Sequence, residues 1–165
     1  MKKIMIISDT HKNQVLLRKA FSLEDGITHI FHLGDDYNDL DSNLDLIQNK
    51  EVFKVPGIYH PGYRNRTIKP TKVVSIDNWD FTLIHDLSEL KSNMLKSNIV
   101  FHGHTHKADF TKIKDIHFIN PGHLKGEIDR NRSASYLVVD VEKEKLEFTF
   151  KNLDGTTFLK KTINR

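Results

Sequence analysis

The sequence predicts an α/β fold in a single domain that spans residues 1–165. In the first third of the chain, short apolar runs typical of buried strands alternate with segments of helical periodicity, which is the pattern of a parallel sheet with right-handed crossovers. From Ala108 onward the segments are strand-like and are separated by turn sequences such as Asn120-Pro121-Gly122. We therefore expect an α/β arrangement first and mostly β-structure after it.

The predicted elements follow from these patterns in chain order. Strands are expected where apolar residues run together between polar or glycine-containing loops. They are Lys3–Ile7, His29–Leu33, Val52–Val55, Lys72–Ile76, Phe81–Ile84, Ile99–Phe101, Phe110–Ile113, His117–Ile119, Tyr136–Val141, Leu146–Phe150 and Thr156–Leu159. Apolar positions at helical spacing predict helices over 13–23, 39–49 and 88–96. Residues 58–70 are predicted to form a long loop, and Asn78-Trp79 the turn of a hairpin.

The composition excludes several classes of protein. With 38% hydrophobic and 28% charged residues, the chain is neither disordered nor a coiled coil. The absence of cysteine excludes disulfides and thiolate metal sites and fits a reducing cytoplasm. The apolar run in MKKIMIISDT is shorter than the roughly 7–15 residues of a signal peptide, and no segment approaches the roughly 20 apolar residues of a membrane span. We expect a cytoplasmic protein without a membrane partner.

Aspartates and histidines are concentrated where the predicted strands end. These residues are Asp9, His11, Asp35, His85, His104 and His106. In an open α/β sheet, ligands bind beyond the carboxyl ends of the strands, so these side chains are expected at one rim. A single aspartate or histidine in such a loop is more often a cap or turn residue, but the same types at several strand ends indicate a metal site. A mixed Asp/His set favours Mn, Fe, Zn, Co or Ni.

The spacing of these residues also suits metal binding. In an extended loop, both Asp9-x-His11 and His104-x-His106 direct two side chains to one side. Gly34 before Asp35, and Gly103 before His104, permit sharp turns and close backbone approach. A carboxylate such as Asp35 can bridge two ions, and two ions about 3.5–4 Å apart suit an in-line displacement at phosphorus.

The ordered set Asp9-x-His11, Gly34-Asp35, His85 and Gly103-His104-x-His106 resembles the calcineurin-like metallophosphoesterase superfamily. The short length and β-rich tail resemble its small phosphodiesterases of the YfcE type. The resemblance implies a four-layer fold, a β-sandwich of two mixed sheets flanked by helices. It also implies two divalent ions, commonly manganese, and hydrolysis of a phosphate ester by a hydroxide that bridges them. The implied ligands are Asp9, His11, Asp35 and His106 for the first ion, and Asp35, His85 and His104 for the second.

One motif departs from the family pattern. The third motif of the family is usually Gly-Asn-His or Gly-Asn-Cys, whereas this chain has Gly57-Ile58-Tyr59-His60. Because Ile58 cannot ligate a metal, we expect His60 to act as a ligand or to contact the phosphate. Tyr59 and Arg64 are expected to help His60 neutralise charge on the phosphoryl oxygens. The alternative is that His60 is a surface histidine in a mobile loop.

The expected partner is a small-molecule phosphate ester, and two other functions stay open. The same fold serves as a protein-binding scaffold in a eukaryotic retromer subunit, although a scaffold has no reason to retain all six ligand residues. A metal-dependent nuclease would need a continuous basic groove, and only Arg64 and Arg66 hint at one in a chain of net charge +3. Nucleic acid is therefore not the favoured partner. A homo-oligomer is compatible with the sequence.

Overall fold

The computed structural model describes residues 1–165 and contains two mixed sheets with few helices. The strands are β1 (Lys2–Ile7), β2 (His29–His32), β3 (Glu51–Lys54), β4 (Thr71–Ile76), β5 (Trp79–Ile84), β6 (Ile99–Phe101), β7 (Asp109–Ile113), β8 (Ile116–Asn120), β9 (Ile128–Asp129), β10 (Arg132–Ser133), β11 (Ser135–Val141), β12 (Lys145–Asn152) and β13 (Thr157–Asn164). The helices are α1 (Gln14–Ser22), α2 (Leu44–Ile47) and α3 (Pro61–Arg64). The expected sandwich of two mixed sheets is confirmed.

The six-stranded sheet has the order β13-β12-β11-β1-β2-β3. Its strands β1, β2 and β3 are parallel, whereas β11, β12 and β13 are antiparallel to their neighbours. The five-stranded sheet has the order β4-β5-β6-β8-β7, with β5, β6 and β8 parallel. Because each sheet contains three neighbouring parallel strands, several strands end on the same side of the sandwich, and the functional loops extend from there.

The main core lies between the two sheets and consists of alternate apolar residues of their strands. Phe31, Phe81 and Phe101 are fully buried there, and their ring centroids lie 5.7–5.8 Å apart. Ile4 and Ile6 of β1 point into this core, whereas Met5 and Ile7 belong to a second core on the opposite face. This alternation is the period of two that a strand imposes on its side chains.

Helix α1 covers that opposite face of the six-stranded sheet. Its N-cap is Asn13, whose side chain accepts a hydrogen bond from the Leu16 amide at 3.1 Å. The buried stripe of α1, Leu16, Leu17, Ala20 and Phe21, packs in the second core together with Tyr136. No helix of the structure is long and apolar enough to cross a bilayer.

Two predicted helices are wrong in extent. Of the predicted helix 39–49, only Leu44–Ile47 is helical. The preceding turn is held instead by side chains, because Asn43 donates to the Asp39 carbonyl and Asp39 pairs with buried His32.

The predicted helix 88–96 is replaced by two 3₁₀ turns, Leu87–Glu89 and Ser92–Met94. Neither turn has a buried residue, and so short a segment gains too little from packing to form a stable α-helix.

Two loop predictions also need correction. The segment 58–70 contains α3, in which Pro61 occupies the first helical turn and the His60 side chain caps the Gly62 amide. The hairpin turn lies at Asp77 and Asn78, which both have positive φ, and buried Trp79 already belongs to β5.

Candidate metal centre

Backbone hydrogen bonds tie together the loops that follow the parallel strands. The amide of Asp9 donates to the Gly34 carbonyl at 2.9 Å, and the amide of His11 donates to the Asp35 carbonyl at 2.7 Å. In the second sheet, the Gly103 amide donates to the His85 carbonyl at 2.9 Å. The loops are thereby held at one edge of the sandwich, where their aspartates and histidines meet.

A first group of ligand atoms comes from Asp9, His11 and His106, all within 4.8 Å of one another. His106 Nε2 lies 3.2 Å from Asp9 Oδ1 and 3.3 Å from His11 Nε2. Asp9 and His106 are buried, whereas His11 is exposed. The group therefore opens to solvent on the His11 side.

A second group comes from Asp35, His85 and His104, which also lie within 4.8 Å of one another. His85 Nε2 is 3.3 Å from Asp35 Oδ2, and the rings of His85 and His104 are 5.3 Å apart. The two groups adjoin, because His11 Nε2 lies 3.9 Å from Asp35 Oδ2 and His85 Nε2 lies 3.9 Å from Asp9 Oδ1. The carboxylates of Asp9 and Asp35 therefore both lie at the boundary between the two groups, each close to a histidine of the other group.

The backbone at the centre is strained. Positive φ is found at five of the six predicted ligand residues, namely Asp9 (54°), His11 (45°), Asp35 (46°), His104 (67°) and His106 (60°). For residues with a Cβ this conformation is uncommon, and it is retained mainly at functional sites where the surrounding structure enforces it. A glycine is required at Gly103, where a Cβ would lie 1.9 Å from Ser8 Oγ.

The donor set fits divalent cations. Asp9 Oδ1 and His85 Nε2 are buried and have no hydrogen-bond partner, which is costly for polar atoms unless a ligand satisfies them. The tautomer of His85 is also appropriate, since its Nδ1–H donates to the Leu33 carbonyl at 2.6 Å and leaves the Nε2 lone pair facing the group.

Electrostatics within the centre couple the carboxylates to the imidazoles. Burial acts to raise the pKa of Asp9, but the close contact with His106 and the charge of His85 outweigh it and lower that pKa. Burial acts to lower the pKa of His85, but the close contact with Asp35 and the charge of Asp9 raise it overall. The pKa of His106 is raised by its contacts with Asp9 and Asp129, against the effect of burial. Each of these carboxylates thus favours the charged form of the imidazoles beside it, and each of these imidazoles favours the charged form of the carboxylates.

Two of the three residues predicted to contact substrate, Tyr59 and His60, line a cavity beside the ligand groups. A cavity of about 380 Å³ is lined by His11, Lys12, Asp35, Asp36, Tyr37, Gly57, Tyr59, His60 and Pro61. His60 belongs to neither ligand group; its Nδ1 accepts from the Gly62 amide at 3.0 Å, and its ring lies 5.0 Å from Tyr37. Tyr59 is 68% exposed. Arg64 lies over the Tyr59 ring at 5.7 Å but lines a different cleft, with Tyr63 and Glu89.

Two carboxylates that contact the predicted ligands were not predicted from the sequence. Asp129, on β9, accepts a hydrogen bond from His106 Nδ1 at 2.6 Å, and Asp86 Oδ2 lies 3.6 Å from His104 Nε2. Asp86 directly follows His85, so its adjacency to a predicted ligand was the available indication. Asp129 is 23 residues from His106 and lies in a segment without a recognisable motif, so only the fold reveals it.

Comparison with solved structures shows the same fold in several proteins. A predicted phosphoesterase from Streptococcus pneumoniae is 20% identical, with a TM-score of 0.73 and coverage of 99% of this chain and 98% of that chain. YfcE, a phosphoesterase from E. coli, is 22% identical, with a TM-score of 0.70 and coverage of 98% and 100%. Vps29 from Chaetomium thermophilum is 17% identical, with a TM-score of 0.75 and full coverage of both chains.

No curated protein matches the chain. The family model described as the calcineurin-like phosphoesterase superfamily domain matches residues 1–144, which include both groups of ligand atoms. The chain therefore belongs to the calcineurin-like phosphoesterase superfamily.

Proposed function

We propose that this protein is a metal-dependent phosphoesterase that hydrolyses a phosphodiester. The observation that carries the proposal is the pair of adjoining ligand groups with Asp9 and Asp35 where they meet. Asp9, His11 and His106 would hold one divalent ion, and Asp35, His85 and His104 a second. When bound, two such ions lower the pKa of a water molecule and neutralise charge on the phosphoryl group. Manganese is the proposed metal, with Fe, Ni, Co and Zn as the alternatives for this donor set.

The residues of the chain have three tasks in this reaction. The six ligands bind and orient the cations, and their buried carboxylates give the site its negative charge. His60 and Tyr59, in the adjoining cavity, are proposed to contact the phosphate and its leaving group. Because His60 Nδ1 already accepts a hydrogen bond from the Gly62 amide, Nε2 is the nitrogen available to the substrate. Arg64 is proposed to assist through the Tyr59 ring that it contacts.

The substrate is proposed to be a small organic phosphate ester. The cavity of about 380 Å³ beside the ligand groups suits an organic substituent, with Tyr37, Tyr59 and Pro61 providing apolar surface. Arg64 and Arg66 line a separate cleft, so they do not extend this cavity into a basic groove for nucleic acid. We place this reaction in the cytoplasm, as the absence of cysteine suggests.

A protein-binding scaffold is the second candidate, favoured by the structural likeness to Vps29. One such structure is Vps29 from Chaetomium thermophilum in complex with a cyclic peptide. Another is Vps29 from Entamoeba histolytica in complex with Zn²⁺, so metal binding alone does not separate a scaffold from an enzyme. Turnover is the property that distinguishes the two functions.

The test is hydrolysis of bis(4-nitrophenyl) phosphate by protein that has been stripped with chelator and then given Mn²⁺. We expect turnover that depends on added metal and disappears in Asp35→Asn. The corresponding monoester, 4-nitrophenyl phosphate, is the second substrate, and faster hydrolysis of the diester than of the monoester is expected. If neither substrate is hydrolysed with Mn²⁺, Fe²⁺, Co²⁺, Ni²⁺ or Zn²⁺, the enzyme proposal fails and the scaffold is favoured.

A further inference from the structure

His106 presents its two ring nitrogens to different partners. Nε2 faces Asp9 Oδ1 at 3.2 Å and His11 Nε2 at 3.3 Å, within the first ligand group. Nδ1 faces away from that group and lies 2.6 Å from Asp129 Oδ2. Carboxylates face both nitrogens, but the contact of Nδ1 with Asp129 is at hydrogen-bond distance and shorter than that of Nε2 with Asp9. In the neutral ring the proton therefore belongs on Nδ1, and the Nε2 lone pair remains for a cation.

Asp129 is itself held in place by neighbouring residues. Its second carboxylate oxygen, Oδ1, lies 3.2 Å from Lys125 Nζ. Its side chain is only 16% exposed, although β9 and β10 form a short ribbon at the surface. Both oxygens therefore have cationic or donor partners, and neither belongs to a ligand group.

The ribbon is also joined to the loop that carries His106. Arg132 Nη1 donates to the Thr105 carbonyl at 2.6 Å. The ring of His123 stacks on His106 with centroids 5.4 Å apart and 29° between planes, and His123 Nε2 is hydrogen-bonded to the Arg132 carbonyl at 3.0 Å. Residues 123–132 thus hold the His106 ring from one face and from its Nδ1 edge.

The second group is built differently. His85 Nδ1 donates to the Leu33 backbone carbonyl at 2.6 Å, which is a neutral acceptor. His106 has a charged acceptor at the same distance. A carboxylate at Nδ1 increases the negative charge near the ligand group and strengthens the imidazole as a donor to a cation, whereas a carbonyl mainly fixes its orientation.

We propose that Asp129 is a positioning residue that holds His106 in the Nδ1-protonated tautomer and selectively strengthens cation binding at the Asp9, His11 and His106 group. This inference rests on the metal site of the proposed function but not on the identity of the substrate. It makes the two metal positions unequal, since only the first has a charged partner behind its buried histidine.

The first test uses metal-free protein with ¹⁵N-labelled histidine, measured by NMR at alkaline pH, where the imidazole is neutral. The His106 signals, assigned with His106→Gln, are expected to show a protonated Nδ1 and an unprotonated Nε2. In Asp129→Asn we expect a mixture of tautomers. A wild-type His106 protonated at Nε2 would overturn the proposal, whether or not the protein proves to be an enzyme.

The second test is calorimetric titration with Mn²⁺. Asp129→Asn is expected to weaken one of two binding events about 10–100-fold and to leave the other within about twofold. Glu127→Gln is the matched control, because Glu127 is exposed at the end of the same ribbon and makes no hydrogen bond or ion pair to His106. Wild-type affinities in Asp129→Asn, or equal weakening of both events, would contradict a selective role for Asp129.

Discussion

Gly57 lies against the carboxylate of Asp35 so closely that a Cβ at position 57 would be 1.7 Å from Asp35 Oδ1. Gly57 follows the third parallel strand and Asp35 the second, so the two loops touch where Asp35 enters the second ligand group. The absence of a side chain at position 57 is therefore a condition for the position of Asp35.

Gly57→Ala is expected to displace Asp35 and to lower turnover about 100-fold, since a displacement of about 1 Å at a reacting centre has an effect of this size. Metal content should fall with it. Gly126→Ala is the control, because a Cβ there comes no closer than 3.6 Å to another residue. Metal analysis and kinetics on both variants test this, with thermal unfolding to verify the fold. Full turnover in Gly57→Ala would show that Asp35 is not constrained as described.

His106→Ala and His104→Ala are each expected to lose one of two bound ions, because the two histidines belong to different ligand groups. Asp35→Ala should weaken both ions, since Asp35 lies where the groups meet. Metal per chain after dialysis, measured by mass spectrometry, gives the result. His117→Ala is the control, because His117 lies on β8 away from both groups and should retain both ions. If His104→Ala lost both ions, the assignment of His104 to only one of the two ligand groups would be contradicted.

His60→Ser is expected to retain both ions and to lose turnover about 100-fold, as for a residue that assists proton transfer or contacts the substrate. Serine keeps a side-chain oxygen to cap the Gly62 amide, so the start of α3 should survive the change. Loss of one ion would instead make His60 a metal ligand. Unchanged metal content and turnover would make it a surface histidine.

Metal affinity is expected to fall as the pH falls. The pKa values of His85 and His106 are raised above their ordinary value of 6.5 by the carboxylates beside them, so both histidines hold their protons to a higher pH than a free imidazole does. A cation must displace those protons, and its affinity therefore rises with pH until both histidines are neutral. The pKa values of Asp9 and Asp35 are lowered, so these carboxylates stay ionised throughout. Titration with Mn²⁺ between about pH 6 and pH 9, in buffers of different ionisation enthalpy, measures the protons released. An affinity independent of pH would contradict this account.

The residues of the candidate centre could be predicted to a large extent from the sequence. Asp9, His11, Asp35, His85, His104 and His106 each follow an apolar run, and parallel strands bring their carboxyl ends to one edge. Helix α1 and most strands were likewise found from their periodicity. The helices predicted over 39–49 and 88–96 were wrong because side-chain hydrogen bonds and weak packing, which local periodicity does not reveal, decided those segments.

The sequence by itself therefore determined the fold class and which side chains are available as ligands, since both depend on local patterns of apolar and polar residues. The resemblance to the family implied a division of those ligands between two ions, but only the tertiary structure shows which ligand atoms lie together and places Asp129 behind His106. These relationships are decided by which strands lie side by side and by how closely backbones approach, as at Gly57. Spacing along the chain does not contain that information, because Asp129 reaches His106 only after β9 and β10 fold back over the loop that carries it.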